Sequence, residues 1–168
     1  MSVTKWFFLM LTLAATASVS AQTCSTTIVK TTPTAAFSLY SNGAVTHTKT
    51  GLMWRRCLLG QAWDGSNCTG NAIGYTWSQA LLAVDAYAGY SDWRVPNKNE
   101  LASLVERACL YPAINTTVFP NDPSSIVWSS SPANRSDYAW YVNFSNGYVN
   151  NFNKASDGFH VRLVRGGQ

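Results

Sequence analysis

Charged side chains are scarce in this chain. Asp, Glu, Lys and Arg make up 12% of its 168 residues, whereas hydrophobic residues make up 46%. Soluble domains usually carry a charged share of about 25%. This balance excludes a disordered acidic chain and a helical protein held together by surface ion pairs. The length allows one globular domain with its own core, and two independent domains are not expected.

The residues that build common catalytic and metal sites are also few. The chain has eight acidic residues and two histidines, and neither His47 nor His160 has a nearby cysteine or a nucleophile at motif spacing. The Gly-x-Ser-x-Gly, phosphate-loop and His-Glu-x-x-His patterns are missing. The lack of a Cys-x-x-Cys pair argues against zinc, and the small number of carboxylates argues against calcium. We predict no enzyme activity, no metal and no cofactor.

The positive charge of the chain is modest and gives no sign of a nucleic-acid partner. The formal net charge is +4, which is small for a nucleic-acid-binding domain. Seven of the 12 basic residues are arginines. Arginine favours bidentate contacts with carboxylate, sulfate or phosphate groups over diffuse attraction, so a discrete anionic ligand is the better expectation.

The first residues are typical of a secretory signal peptide. Lys5 supplies a positive charge, residues 6–15 are mostly apolar, and Val19-Ser20-Ala21 supplies small residues before a cleavage site. The apolar stretch is shorter than the ~18 to 20 residues that span a bilayer. We predict a signal peptide over residues 1–21 and no membrane span. The mature protein is then expected in the periplasm, at the cell surface or secreted.

The four cysteines fit an oxidising compartment, where an even number predicts two disulfides. Three connectivities are open for Cys24, Cys57, Cys68 and Cys109. The segment between Cys57 and Cys68 has the composition of a short loop, which favours a bridge between those two. That choice leaves Cys24 to pair with Cys109.

The chain after the signal divides into a lead-in and one domain. Residues 22–36, rich in threonine, are expected to be extended and either to pair at a sheet edge or to stay loose. Residues 37–168 have no repeats and no linker. Asn42-Gly43 and Asn146-Gly147 each lie between alternating segments and predict β-hairpins. Further strands are expected at residues 50–54, 126–131 and 159–164.

Two helices are predicted from their capping boxes. Thr76 with Gln79 begins the first, and Asn97 with Glu100 begins the second. Apolar residues at helical spacing follow each box, so each helix is expected to bury one face against a sheet. The first helix is expected to continue until Gly89. Prolines between residues 111 and 123 predict a long irregular loop region.

Four sequence segments form an ordered set: TGLMW (50–54), SDWRVPNKNEL (91–101), VWSSS (127–131) and VRLVRGGQ (161–168). Together they resemble the Lcl C-terminal domain family, from about residue 37 to the C terminus. The resemblance implies an α+β, C-type-lectin-like fold with mixed and antiparallel sheets, in which both ends of the domain meet in one sheet. Residues 93–100 are also similar to the sulfatase-modifying relatives of that fold. Their thiol chemistry is not expected here, because the four cysteines are assigned to bridges.

The same resemblance implies a bacterial binding module. One member of the family, the C-terminal domain of a collagen-like adhesin, binds sulfated glycosaminoglycans as a trimer. We therefore predict an adhesin-like domain for carbohydrate or anionic polymers, and a homo-oligomer is one option, although this chain lacks a Gly-x-y stalk. Two alternatives stay open. One is a structural or assembly subunit that contacts another surface protein, and the other is a diversified ligand-display protein of a retroelement system.

The candidate ligand site lies in the late hairpin and the last strand. Cationic heads are expected to contact sulfate or carboxylate, while exposed aromatic rings stack on sugars. Alternation in residues 159–164 places Arg162 on a polar face beside Lys154 and His160, which makes Arg162 the first candidate. The candidate ligand-binding residues are Arg162, Lys154, His160, Tyr141, Tyr148 and Arg135.

Other conspicuous residues are assigned to the scaffold. Arg94 is expected to clamp a carboxylate or carbonyl near the start of the second helix. One of the pair Arg55 and Arg56 is expected to turn inward and to bind an acid such as Asp64 or Asp92. The tryptophans assigned to the core are Trp54, Trp77, Trp93 and Trp128.

Overall fold

The computed structural model describes residues 21–166, so the predicted signal peptide lies outside the described residues except for Ala21. The strands are β1 (Thr23–Cys24), β2 (Phe37–Leu39), β3 (Ala44–His47), β4 (Leu52–Arg55), β5 (Ala62–Trp63), β6 (Cys68–Thr69), β7 (Cys109–Leu110), β8 (Ile126–Pro132), β9 (Tyr138–Asn143), β10 (Tyr148–Asn153) and β11 (Val164–Arg165). The helices are α1 (Trp77–Leu82) and α2 (Lys98–Ala102), and Thr34–Ala36 forms a 3-10 turn. The architecture is α+β and is consistent with a C-type-lectin-like fold.

One antiparallel sheet joins the two ends of the domain. Its strand order is β11-β4-β3-β2, so the last strand lies beside β4. The hairpin predicted at Asn42-Gly43 is present between β2 and β3. The strand predicted over residues 159–164 is wrong, because only Val164 of that stretch belongs to a strand. Residues 161–164 are all buried, so this segment has no solvent face that could impose alternation.

A second sheet has the order β10-β9-β8, and residues of β8 and β9 face a core cluster on each side of it. Val127 and Val142 face one core cluster, which also contains Leu101 of α2. Trp128 and Ala139 face the other cluster, which also contains residues from segments before and after this sheet in the chain. Consecutive strand residues point to opposite faces, which explains how one sheet serves two cores. Both helices pack against this sheet, as predicted.

The helix starts agree with the prediction, but the extent of the first helix does not. Both capping boxes are present, with Thr76 and Asn97 as N-caps. α1 ends at Leu82 rather than near Gly89. A longer helix would have little to bury, since Leu81 and Val84 are already exposed to solvent. Beyond α1, the indole of Trp93 donates to the carbonyl of Tyr87 and holds the chain in a non-helical path.

Both disulfides have the predicted pairing, Cys57 with Cys68 and Cys24 with Cys109. The second bridge ties the lead-in to the middle of the chain, where β1 pairs with β7. The lead-in is therefore bound at a strand edge, which is one of the two options that the sequence leaves open. A bridge that closes a loop of this length stabilises the fold by about 4 kcal/mol in the chain-entropy account.

A buried carboxylate completes the attachment of the lead-in. Oε1 of Glu106 accepts hydrogen bonds from the backbone amides of Thr31 and Ala108, at 2.9 and 3.0 Å. Its Oε2 accepts from the amide and hydroxyl of Thr32, at 2.9 and 3.1 Å. Burial opposes ionisation of Glu106, but the donors from Ala108, Thr31 and Thr32 outweigh it and hold its pKa below the usual value.

Replacing Glu106 by Gln is expected to lower the free energy of unfolding at pH 7 by about 2 kcal/mol, because an amide cannot accept all of these hydrogen bonds. The folded pKa of Glu106 is depressed, so its contribution is present above the unfolded pKa and is lost as the pH falls through the folded pKa. The two proteins should therefore converge in stability in acid. Urea titrations over a pH series measure this.

The control for this comparison is Asp157→Asn, which removes a carboxylate from an exposed position. It should change the free energy of unfolding little at any pH. A difference between wild type and Glu106→Gln that persisted unchanged at low pH would contradict the role given to the ionised carboxylate.

Candidate functional site

Arg162, the first ligand candidate from the sequence, is buried, with 1% of its surface exposed. Its Nη2 donates to Oδ2 of Asp122 at 2.8 Å, and its Nη1 donates to the carbonyl oxygens of Arg55 and Arg56. The guanidinium carbon lies 4.6 Å from the ring centre of Phe119. The prediction of a solvent-facing Arg162 is therefore wrong. This side chain joins the end of β4 to the irregular loop that contains Asp122.

Removing one partner of this buried pair should be costly. Arg162→Met is expected to lower the free energy of unfolding by about 3 to 5 kcal/mol, because it leaves the Asp122 carboxylate buried without its cation. The double variant Arg162→Met/Asp122→Asn should lose less than the sum of the two single variants. Chemical denaturation of the four proteins gives the coupling energy, and additive losses would contradict a direct ion pair.

His160 is half-buried. Burial lowers its pKa below the ordinary value, and the Asp122 carboxylate opposes this only in part, which favours the neutral ring over a cation. Its backbone bonds to β8 through Ile126 and Trp128. The ring borders a polar cleft of about 580 Å³ that is also lined by Gln61, Asn71 and Asn121.

The two tyrosine candidates have different surroundings. Tyr141 on β9 is half-buried, and the centre of its ring lies 5.3 Å from the ring centre of Phe159 and 6.4 Å from that of Trp128. Tyr148, the first residue of β10, is 72% exposed. Only Tyr148 of these two offers a largely free ring face to a ligand.

Alternate residues of β10 form a line of exposed side chains, which we call the β10 strip: Tyr148, Asn150 and Phe152. They lie opposite Asn143, Tyr141 and Ala139 of β9, respectively. Phe152 is 46% exposed, and its ring packs 5.6 Å from that of Phe159, which fixes its position. The strip is therefore an exposed row with two aromatic rings and an amide between them.

Two basic side chains lie just beyond the strip, and we call them the basic end: Lys154 and Arg135. Nζ of Lys154 donates to the carbonyl of Ser136 at 2.6 Å, and it lies 4.4 Å from the ring centre of Trp77. Arg135 is exposed, bonds to Asp137 in the turn between β8 and β9, and lies 4.1 Å from the ring centre of Tyr138, whose side chain is on the sheet face opposite the strip. The backbone amide of Lys154 donates to the carbonyl of Asp137, so these two predicted residues both border the same turn, next to the end of β10.

Asn150 and Phe152 are not among the ligand-binding residues predicted from the sequence, although the sequence contains a signal for them. The Asn-Gly turn fixes the register of the hairpin, and a period of two from Tyr148 points to residues 150 and 152. Lys98 was not predicted either, and its Nζ lies 4.4 Å from the ring centre of Trp140. That contact joins α2 to β9, and no local sequence pattern predicts it.

The scaffold prediction is confirmed for Arg94, and for the pair Arg55 and Arg56 it is right about an inward arginine bound to an acid but wrong about which acid. Arg94 binds both carboxylate oxygens of Glu100, at 2.8 and 2.7 Å, beside the start of α2. Arg55 pairs with Asp85 at 2.8 Å instead of either predicted acid.

The remaining predicted partners have other contacts. Asp64 accepts amides of its own loop, and Asp92 binds Arg165. Arg56 donates to the carbonyls of Thr117 and Val118. Trp54, Trp93 and Trp128 are buried, as predicted, whereas Trp77 is only partly buried.

Within residues 21–166, no group of three His, Cys, Asp or Glu side chains is placed to hold a metal ion.

A second cleft of about 560 Å³ lies between the lead-in and the loop that holds Asp122, and it is lined mainly by amide, hydroxyl and proline side chains. No helix between residues 21 and 166 is long and apolar enough to cross a membrane.

Comparison with known protein families matches the Lcl C-terminal domain to residues 43–165. The chain belongs to the Lcl C-terminal domain family. The matched region contains the sheet of β8, β9 and β10, both helices and the β10 strip. Comparison with curated proteins finds no matching relative. The chain is thus a disulfide-containing member of this family, and its disulfides are of the kind that persist outside the cytoplasm.

Proposed function

We propose that this protein is an exported, non-catalytic binding module that recognises carbohydrate chains carrying anionic groups. The signal-like N-terminal sequence and the two disulfides support export. The observation that carries the binding proposal is the β10 strip with the basic end beside it. An adhesin-like role follows if the carbohydrate belongs to a surface that the bacterium contacts.

The strip has the chemistry that a sugar chain needs. The rings of Tyr148 and Phe152 offer apolar faces for the C–H side of a sugar, and Asn150 offers an amide for hydroxyl groups. Residues four apart in a strand are separated by about 13 Å. One sugar ring cannot cover that length, so the ligand should be an oligosaccharide.

The basic end gives the strip a preference for anionic chains. Lys154 and Arg135 carry two positive charges, and Asp137 offsets one of them. Arg135 holds Asp137 through an exposed pair, which is worth little and can exchange for a ligand sulfate or carboxylate. The attraction is therefore modest, and it should weaken as salt rises.

A glycan array probed with the oxidised protein at two salt concentrations tests the proposal. Sulfated or uronic oligosaccharides should be retained at low salt and lost as ionic strength rises. The absence of any retained anionic glycan at low salt would reject the proposal.

Variants then locate the site. Tyr148→Ala and Phe152→Ala should each weaken binding about threefold to tenfold through lost stacking. Lys154→Ala should weaken binding mainly at low salt. The matched controls are Tyr40→Ala and Lys49→Ala, which remove an exposed ring and an exposed cation from the β2–β4 region. Equal effects of the controls and the site variants would contradict a site on β10.

The assembly-subunit alternative has one observation in its favour. Leu82 at the end of α1 is 81% exposed, and Val84 and Ile73 are also exposed. Apolar surface of this kind is typical of protein contacts. Binding through it should be insensitive to salt, and Leu82→Lys should abolish it while leaving glycan retention unchanged.

The retroelement alternative is favoured by residues 138–157, which are rich in asparagine and tyrosine, but this composition has a structural explanation. Oδ1 of Asn143 accepts the amide of Ser145, Oδ1 of Asn146 accepts that of Tyr148, and Oδ1 of Asn153 accepts that of Ala155. Asparagine is favoured in turns because it makes such bonds to its own backbone. We therefore prefer the fixed carbohydrate site over a diversified one.

A further inference from the structure

β10 lies at the edge of its sheet. Among the strands that the structure describes, it pairs with β9 alone. The backbone amide of Asn151 donates to Oδ1 of its neighbour Asn150, at 2.8 Å. This N–H therefore points away from β9. Because strand residues alternate, Val149 and Asn153 direct their backbone groups to the same open side.

This edge lacks the devices that usually prevent pairing with another strand. Such devices include charged side chains, prolines and bulges. β10 has six residues, Tyr148–Asn153, and none of them is charged or proline. Its pairing with β9 runs through all six positions without a shift in register. The edge therefore offers a regular row of backbone donors and acceptors.

We infer that β10 pairs antiparallel with β10 of a second copy of this chain, around a two-fold axis at Asn150. In this register, Val149 of one copy lies opposite Asn151 of the other, and these residues exchange backbone hydrogen bonds. Tyr148 lies opposite the second copy's Phe152 on the same sheet face. Asn150 lies opposite its own counterpart.

Two properties of the strand favour a second copy as the occupant of this edge. The strand carries no charge, so no like charges meet within the paired strands. The two exposed rings of each copy gain a cross-strand aromatic neighbour, which stabilises antiparallel pairs. A shift of two residues would place Tyr148 opposite Lys154 and lose the ring pairs. The side chain of Asn150 must turn away from the Asn151 amide, which limits the strength of the dimer.

The dimer would join two β10 strips into one surface with four aromatic rings. This consequence rests on the proposed function, whereas the dimer itself does not. A carbohydrate chain long enough to contact both copies would bind more tightly than one strip allows, since the second contact is then intramolecular.

Sedimentation velocity of the oxidised protein, without ligand, measures the association. Wild type should shift from monomer to dimer between about 1 µM and about 1 mM. Asn150→Lys and Asn150→Asp should each stay monomeric, because like charges meet on the axis. Their equimolar mixture should form a heterodimer, because the charges are then opposite. This restoration is specific to the proposed register.

Two further variants separate the edge from general surface effects. Asn151→Pro removes an N–H that β9 does not use, so it should abolish the dimer and leave the thermal unfolding midpoint nearly unchanged. Ser41→Lys adds the same charge to an exposed turn and should dimerise like wild type. A wild type that stays monomeric at every concentration, or an Asn150→Lys variant that dimerises normally, would overturn the inference. Loss of glycan binding with an intact dimer would reject only the proposed function.

Discussion

The burial of one sheet between two cores is the constraint on which the rest of the molecule depends. β8 and β9 send alternate side chains into opposite clusters, so much of each strand is turned toward the interior. β10 is the edge strand of that sheet, and its residues 148, 150 and 152 lie where the covering on one face ends. Position in the sheet, more than residue type, therefore determines which surface we propose for ligand contact.

Two arginines, one buried and one partly buried, hold parts of the scaffold together outside the regular strand pairing. Arg162 joins the end of β4 to the irregular loop through Asp122 and two carbonyls. Arg94 joins the start of α2 to the C-terminal segment through Glu100 and the carbonyl of Gly166. Much of the positive charge of this arginine-rich chain thus takes part in contacts within its own structure. The cations left for a ligand are few, which is why we assign a large share of recognition to stacking.

Local signals in the sequence were sufficient for much of the fold. Capping boxes and Asn-Gly turns act within a few residues, so the starts of both helices and both hairpins were predicted correctly. The length of α1 and the strand over residues 159–164 were predicted wrongly, because both depend on the residues that pack against each segment in three dimensions. The prediction of a solvent-facing Arg162 was wrong for the same reason. Its partners at Asp122 and Arg55 lie 40 and 107 residues away, and no spacing rule connects them.

The most direct test of the account is a map of backbone amide chemical shifts during titration with a sulfated oligosaccharide. We expect the largest chemical-shift changes at Tyr148, Asn150, Phe152 and Lys154, with little change at the buried Arg162. Changes confined to the cleft beside His160, or to the exposed leucines of α1, would contradict the assignment of the binding surface to β10.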